Sequence, residues 1–196
     1  MTILHINTSA RHAGSASREL SARLVERLGD DTIIERDLAD GIPQYTEATL
    51  QAVFTPHEHR TEEQIAELTV AGELIAELQS ADTIVIGLPI YNFGPPATLK
   101  AWADLVAQAG VTFQYSEEGP KGLLADRPVY VVVASGGVPI GSGMDFSSTW
   151  LTQFLGFLGL RNVTVIPAGQ LNIDPEYALE AARERIDGVE LPALAA

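Results

Sequence analysis

The stretch that most constrains this chain runs from Thr83 to Phe93, TIVIGLPIYNF, and continues through Gly94-Pro95-Pro96 into a helical pattern. Its first half is β-branched and apolar with no polar alternation, as expected of a strand buried on both faces of a parallel sheet. The run breaks at Pro89 and opens into Tyr91-Asn92-Phe93, two aromatics around an amide. A central strand of an open α/β sheet delivers such residues to its carboxyl end, where these sheets bind ligands. An ordinary strand-to-helix turn with a buried Tyr and Phe fits the same letters, so the rest of the chain has to decide.

Before that stretch, Thr2 to Asn7 reads as a first strand, ending in the polar loop Thr8 to Ser17. Leu20, Leu24, Val25 and Leu28 then recur at helical spacing, with Gly29 and Asp30 as a stop. Thr32 to Glu35 suits a second strand. Gly41 to Pro56 reads as a loop-like excursion, and Thr61-Glu62-Glu63-Gln64 has capping-box spacing ahead of one long helix through Ile65, Leu68, Leu74, Ile75 and Leu78. After Phe93, Leu99, Trp102, Leu105 and Val106 mark a helix that stops at Gly110. Val111 to Tyr115 and Lys121 to Leu124 flank Gly119-Pro120 as a hairpin-like insertion. Val129 to Ala134 is another buried strand, Trp150 to Leu158 a helix, and Asn162 to Pro167 a last strand. Asp174-Pro175 supplies a cap and a first-turn proline for the final helix.

Five strands alternating with helices imply a mostly parallel sheet, helices on both faces and right-handed crossovers. The natural strand order is the flavodoxin-like 2-1-3-4-5, an α/β/α sandwich expected to span residues 1–196 as one domain. The net charge of −14, from 26 acidic and 12 basic residues, argues against binding a nucleic-acid backbone. No cysteine is present, which excludes disulfides, thiolate metal sites and a Cys nucleophile. MTILHINTSA reads as a strand rather than a leader, and no run approaches membrane-spanning length, so a cytoplasmic protein without a membrane partner is expected.

In that strand order three loops converge. Ser9 to Ser17 offers hydroxyls and amides at a helix start, suited to a phosphate dianion, although Ser15 or Ser17 serves equally as a plain helix cap. Ile90 to Phe93 offers aromatic edges and an amide for one side of a flat heteroaromatic ring. Ser135-Gly136-Gly137 lets backbone approach a ligand, or is simply a turn. Neither GxGxxG nor GxxxxGK[ST] occurs, so a dinucleotide fingerprint and a nucleotide P-loop are unsupported. A phosphate cup at one end and a planar-ring clamp at the other describe a slot with the shape of flavin mononucleotide. His5, His12, His57 and His59 are scattered and receive no catalytic role, and His57-x-His59 lacks further ligands for a metal.

The chain resembles the FMN-dependent NADH-azoreductases, flavodoxin-like homodimeric quinone and azo-dye reductases, over nearly its whole length. The resemblance is carried by Ser9…Ser15-Ala16-Ser17, Ile90-Tyr91-Asn92-Phe93 with Leu99-Lys100, Ala107 to Phe113 (AQAGVTF), Gly136-Gly137, and Phe154 to Gly159 (FLGFLG). It implies that Ser9, Ser15, Ala16 and Ser17 hold the FMN phosphate, Ile90, Tyr91, Asn92 and Phe93 the isoalloxazine, and Ser135, Gly136 and Gly137 its pyrimidine side. It further implies NADH or NADPH as donor, a quinone or azo compound as acceptor, a ping-pong relay of two electrons, and a homodimer with FMN near the interface. Phe113, Tyr115, Phe154 and Phe157 are the expected walls of the acceptor pocket, with core packing as the other reading of the two last-named. The family often has Met where Ile90 stands, and commonly Ser-Arg where this chain has Ala134-Ser135. An electron-carrying flavodoxin shares the slot, and a phosphodiester hydrolase is a more distant alternative lacking a visible metal or His-carboxylate cluster.

Overall fold

The computed structural model describes residues 1–29 and 32–190. Strands β1 (Thr2–Asn7), β2 (Thr32–Asp37), β3 (Thr83–Pro89), β6 (Val129–Ala134) and β7 (Val163–Ala168) form one parallel sheet in the order β2-β1-β3-β6-β7. Strands β4 (Phe113–Ser116) and β5 (Gly119–Gly122) make a separate antiparallel hairpin. The expected flavodoxin-like order is therefore the observed one. Every residue of β3 is buried, whereas β2 at the sheet edge is mostly exposed or half-buried. The unbroken apolar run of β3 follows from having a neighbour on both sides and a helix layer on both faces.

Side chains alternate across the sheet, so the two cores are built from alternate positions of the same strands. Leu4, Ile84, Ile86, Val131 and Val133 pack with helices α4 (Thr69–Ser80), α5 (Ala97–Val106) and α6 (Phe146–Leu158). Ile3, Val85, Val132 and Ile166 pack on the other face with α1 (Ala16–Leu28) and α7 (Pro175–Asp187). Each fully buried aliphatic side chain contributes about 1.5–3 kcal/mol, so the central strands dominate stability.

Several local expectations change: α6 starts at Phe146 rather than Trp150, and Gly119-Pro120 belongs to β5 rather than to the turn of the hairpin. The excursion after β2 is not a loop throughout: it contains α2 (Glu47–Phe54), opened by a capping box between Thr46 and Thr49. A threonine at the third helical position does the work that Glu or Gln does in the familiar pattern, which hides the signal. The Thr61–Gln64 capping box is present, but the helix behind it divides at Leu68 into α3 (Glu62–Glu67) and α4. Ile65 consequently lies 54% exposed instead of in the core. Helix α5 ends at Val106, not Gly110, because the buried Thr112 hydroxyl donates to the Val106 carbonyl at 2.6 Å and folds the chain back. The expected stop of α1 at Asp30 lies outside the described residues; the helix itself closes at Leu28, with the Gly29 amide donating to the Val25 carbonyl. At the other end of the chain, Asp174 caps α7 and Pro175 opens it. Among the described residues no helix is long and apolar enough to cross a membrane.

Gly87, in the middle of β3, sets how close α1 comes to the sheet. A Cβ there would lie 2.8 Å from Ser21 Oγ and 3.0 Å from the Ser17 carbonyl oxygen. Helix α1 thus rests on bare backbone. Thr8 ties its approach loop to the same point, its hydroxyl donating to the Gly87 carbonyl at 2.8 Å. Replacing Gly87 by Ala is expected to cost about 1–3 kcal/mol, by overpacking that lifts α1 off the sheet. Urea unfolding measures it, and an unchanged midpoint would show that α1 does not need this contact.

Candidate functional site

The carboxyl ends of β1, β3 and β6 are adjacent, and the loops that leave them enclose a cavity of about 300 Å³. Ser9, Ser15, Ala16 and Ser17 line it from the first loop, Ile90 and Tyr91 from the second, Ser135 and Gly136 from the third. The three segments singled out in the sequence therefore meet in one place. Asn92, Phe93 and Gly137 belong to the same loops but do not line this cavity.

At the first loop, Ser15 occupies the cap position of α1 without a side-chain cap bond, its hydroxyl instead meeting that of Ser17 at 3.2 Å. The first intrahelical bond runs from the Glu19 amide to the Ser15 carbonyl. The amides ahead of it are the unpaired donors of a helix N-terminus, at its positive end. Arg11 also lines the cavity and is the only charged residue that does so among the described residues. In a chain with a net charge of −14, a wall free of carboxylates is the requirement for admitting an anion.

The second loop is a tight turn. Tyr91 and Gly94 exchange amide-to-carbonyl bonds of 3.0 Å each, and the two residues between them, Asn92 and Phe93, have φ of 49° and 70°. Two consecutive non-glycine residues on the left-handed side cost about 1–2 kcal/mol each, and such strain concentrates at functional sites. The turn leaves Phe93 53% exposed and ties its carbonyl to the Phe146 amide at 3.2 Å. Tyr91 reaches the other way. Its hydroxyl accepts from the Ala10 amide and hydrogen-bonds the Ser9 hydroxyl, both at 3.2 Å, joining the first and second loops.

At the third loop the buried Ser135 hydroxyl accepts from the Val138 amide at 2.8 Å. The backbone here is braced by a fourth segment, between β7 and α7: Leu171 and Asn172 donate to the carbonyls of Ser135 and Gly136 at 3.0 and 2.8 Å. A Cβ on Gly136 would stand 2.5 Å from Asn172 Nδ2, so any larger residue here has to push the Asn172 side chain aside. Leu171, Asn172, Pro175 and Leu179 also line the cavity. Sequence reasoning missed this wall; its one signal was the position of the segment at the carboxyl end of the next parallel strand.

Phe113, Tyr115, Phe154 and Phe157 are brought together, but not at this cavity. Phe113 meets Phe157 at 4.5 Å and Tyr115 at 5.4 Å between ring centroids, while Phe154 stacks on Trp150 at 5.7 Å. Buried Phe113 and half-buried Phe157 pack the hairpin on α6, half-buried Phe154 packs α6 on Trp102 of α5, and Tyr115 is 78% exposed. Of the histidines, His5 is buried between Glu35 and Ser21, at 3.0 and 2.9 Å. His57 and His59 are exposed on a short turn. His12, Asp37 and Asp40 bring ligand atoms within 4.8 Å of one another, but Asp37 is already engaged by the Arg18 guanidinium.

An open helix terminus, serine hydroxyls, one guanidinium, an apolar wall and a bare Gly136 fit a phosphorylated flat ring, and FMN is such a group. This arrangement on a parallel sheet defines a flavodoxin-like protein with its binding crevice at the β1/β3 reversal of strand order. The chain belongs to the flavodoxin-like fold family, whose model matches residues 1–189. It is 50% identical over 187 residues to FMN-dependent NADH:quinone oxidoreductase 1 of Jannaschia sp. (strain CCS1), covering 95% of this chain and 97% of that protein. It is 49% identical over 193 residues to FMN-dependent NADH:quinone oxidoreductase of Erythrobacter litoralis (strain HTCC2594), covering 96% and 98%. Among solved structures it is similar to an FMN-dependent NADH-azoreductase from Bacillus anthracis str. Ames Ancestor in complex with FMN, with a TM-score of 0.84, 27% identity and 95% of each chain covered.

Next to Phe146, whose amide reaches the second loop, Asp145 caps α6 and is 2% exposed. Burial pushes its carboxyl up, but hydrogen bonds from the Ser148 hydroxyl and the amides of Gly141, Ser148 and Ser147 outweigh this and hold it below the usual range. A carboxyl with a lowered folded pKa contributes stability above its unfolded pKa, and that contribution disappears as pH falls through the folded value. Asp145→Ala is therefore expected to lose about 2 kcal/mol at neutral pH. In urea unfolding across pH, the gap to the parent protein should narrow only below about pH 4. A pH-independent gap would show that the carboxylate charge is not what caps the helix.

Proposed function

We propose that this chain is an FMN-dependent NADH:quinone oxidoreductase that also reduces azo compounds. The observation that carries this reading is the convergence of three loops, each of distinct chemistry, on one carboxylate-free cavity at the β1/β3 crevice. The half-identity to proteins named for that activity, over almost their full length, supports it. Ser9, Ser15, Ala16 and Ser17 hold the phosphate with hydroxyls and helix amides, and Arg11 adds a positive charge. Ile90, Tyr91, Asn92 and Phe93 hold one side of the ring system, with Ser135, Gly136 and Gly137 at its pyrimidine edge. Bound FMN supplies the two-electron exchange between a nicotinamide and a quinone that no protein side chain offers. The chain's own part is to orient it, exclude carboxylates and leave one side open.

Donor and acceptor use that open side in turn, which gives ping-pong kinetics. The second loop carries exposed aromatic surface: Phe93 is 53% exposed, and Phe146, whose amide donates to the Phe93 carbonyl, is 63% exposed. Two large exposed aromatics joined in this way suit an association surface. A second copy of the chain covers them and completes the acceptor pocket, with Tyr115 and Phe93 at its edge and Phe113, Phe154 and Phe157 as support. The protein acts in the cytoplasm, where NADH or NADPH is available.

Purified protein mixed with FMN and freed of excess should stay yellow, and anaerobic NADH should bleach it within seconds. Steady-state rates at several quinone concentrations should give parallel double-reciprocal lines. Protein that emerges colourless, or colour that NADH leaves untouched, overturns the assignment.

A further inference from the structure

The nine-residue stretch from Ser9 to Ser17 would be a floppy cup if only its chemistry were specified. Arg18, the residue after it, closes it. Arg18 does not line the cavity. Its Nη2 donates to the Ser9 carbonyl at 2.7 Å and to Asp37 Oδ1 at 2.7 Å, while Nη1 donates to Asp37 Oδ2 at 2.5 Å. The guanidinium thus bridges the first residue of the loop, the first turn of α1 and the end of β2. The side chain is 15% exposed and its carboxylate partner 22%, so this is a sheltered, end-on fork. Its Nε is buried without a partner among the described residues.

Asp37 is itself anchored, accepting from the Ala39 amide at 3.0 Å. Hydrogen bonding from Arg18 holds its carboxyl below the usual range, so the pair stays charged and compensated at neutral pH. Compensation matters: Arg18 offers no free charge to a phosphate, and its effect on one has to be geometric. Ser9 is the point of action. Its carbonyl is held by Arg18 and its hydroxyl by Tyr91, and that hydroxyl also accepts from the Arg11 amide at 3.3 Å.

Resting on the reading of the cavity as an FMN site, we infer that Arg18, braced by Asp37, is a positioning residue for the flavin phosphate, acting through Ser9. A chain with a net charge of −14 binds a dianion largely through dipoles, and dipoles are effective only when fixed in advance. The fork supplies that fixing across the mouth of the loop.

The test uses the full chain with FMN. Arg18→Met keeps the length and removes the fork; Arg18→Lys keeps a donor for the Ser9 carbonyl but no fork. Expected for Arg18→Met are FMN affinity lowered at least about tenfold, by flavin fluorescence, and a displaced ³¹P resonance of bound FMN. The visible absorption spectrum of the saturated protein should stay that of the parent. Arg18→Lys should recover part of both changes, and it carries the test if Arg18→Met does not fold. An unmoved ³¹P resonance overturns the inference, as does a ³¹P shift accompanied by an altered ring spectrum, which marks general loosening. Failure of the parent protein itself to retain FMN overturns the reading of the cavity and this inference together; retention with an unmoved phosphate signal overturns the inference alone.

Discussion

The pairing of β1 with β3 is the contact on which the rest depends. From β1 the chain turns outward to one face through α1 and reaches β2; from β3 it turns to the other face through α5 and reaches β6. Two loops leaving neighbouring strands toward opposite faces must open a crevice between them. Ile3, Leu4 and Ile6 against Ile84, Val85 and Ile86 hold the pair together with nearly complete burial. Gly87 lets α1 settle on that pair, so the unpaired amides of the helix arrive at the same edge as Tyr91. The site is therefore a consequence of strand order before it is a consequence of any single residue.

Electrostatics at the crevice run against the composition of the chain. Among the described residues no carboxylate lines the cavity, and two buried or half-buried ones in neighbouring segments are committed. Asp37 faces Arg18 and Asp145 caps α6. Both are held ionised by hydrogen bonds and so make no demand on a cation from outside. What remains open toward the cavity is backbone amide, hydroxyl and one arginine. That set suits a phosphate by direction as much as by charge.

The sequence runs that look most diagnostic also hold the fold together. In AGVTF the buried Thr112 accepts from the Gln108 amide and donates to the Val106 carbonyl, knotting the end of α5 to the β4–β5 hairpin. In FLGFLG the second glycine, Gly159, closes α6 in the left-handed conformation, and the Leu124 amide pairs with the Leu158 carbonyl beside it. Together they carry the hairpin at the end of α6 and leave Tyr115 facing outward.

By itself the sequence determined the fold, because the apolar runs of β3 and β6 and the Asp174-Pro175 start of α7 are local signals of element type, and either reading of the serine loop starts α1. It also marked three of the loops that line the cavity, since strand order follows from alternation. The tertiary structure alone decided the remainder. The Leu171–Asn172 wall, the separation of Phe113, Phe154 and Phe157 from the cavity, and the fork from Arg18 to Ser9 and Asp37 all depend on residues distant in sequence meeting across the sheet edge. Periodicity records which way a side chain points from its own element; what it meets there is set by how the layers pack, and no local pattern carries that information.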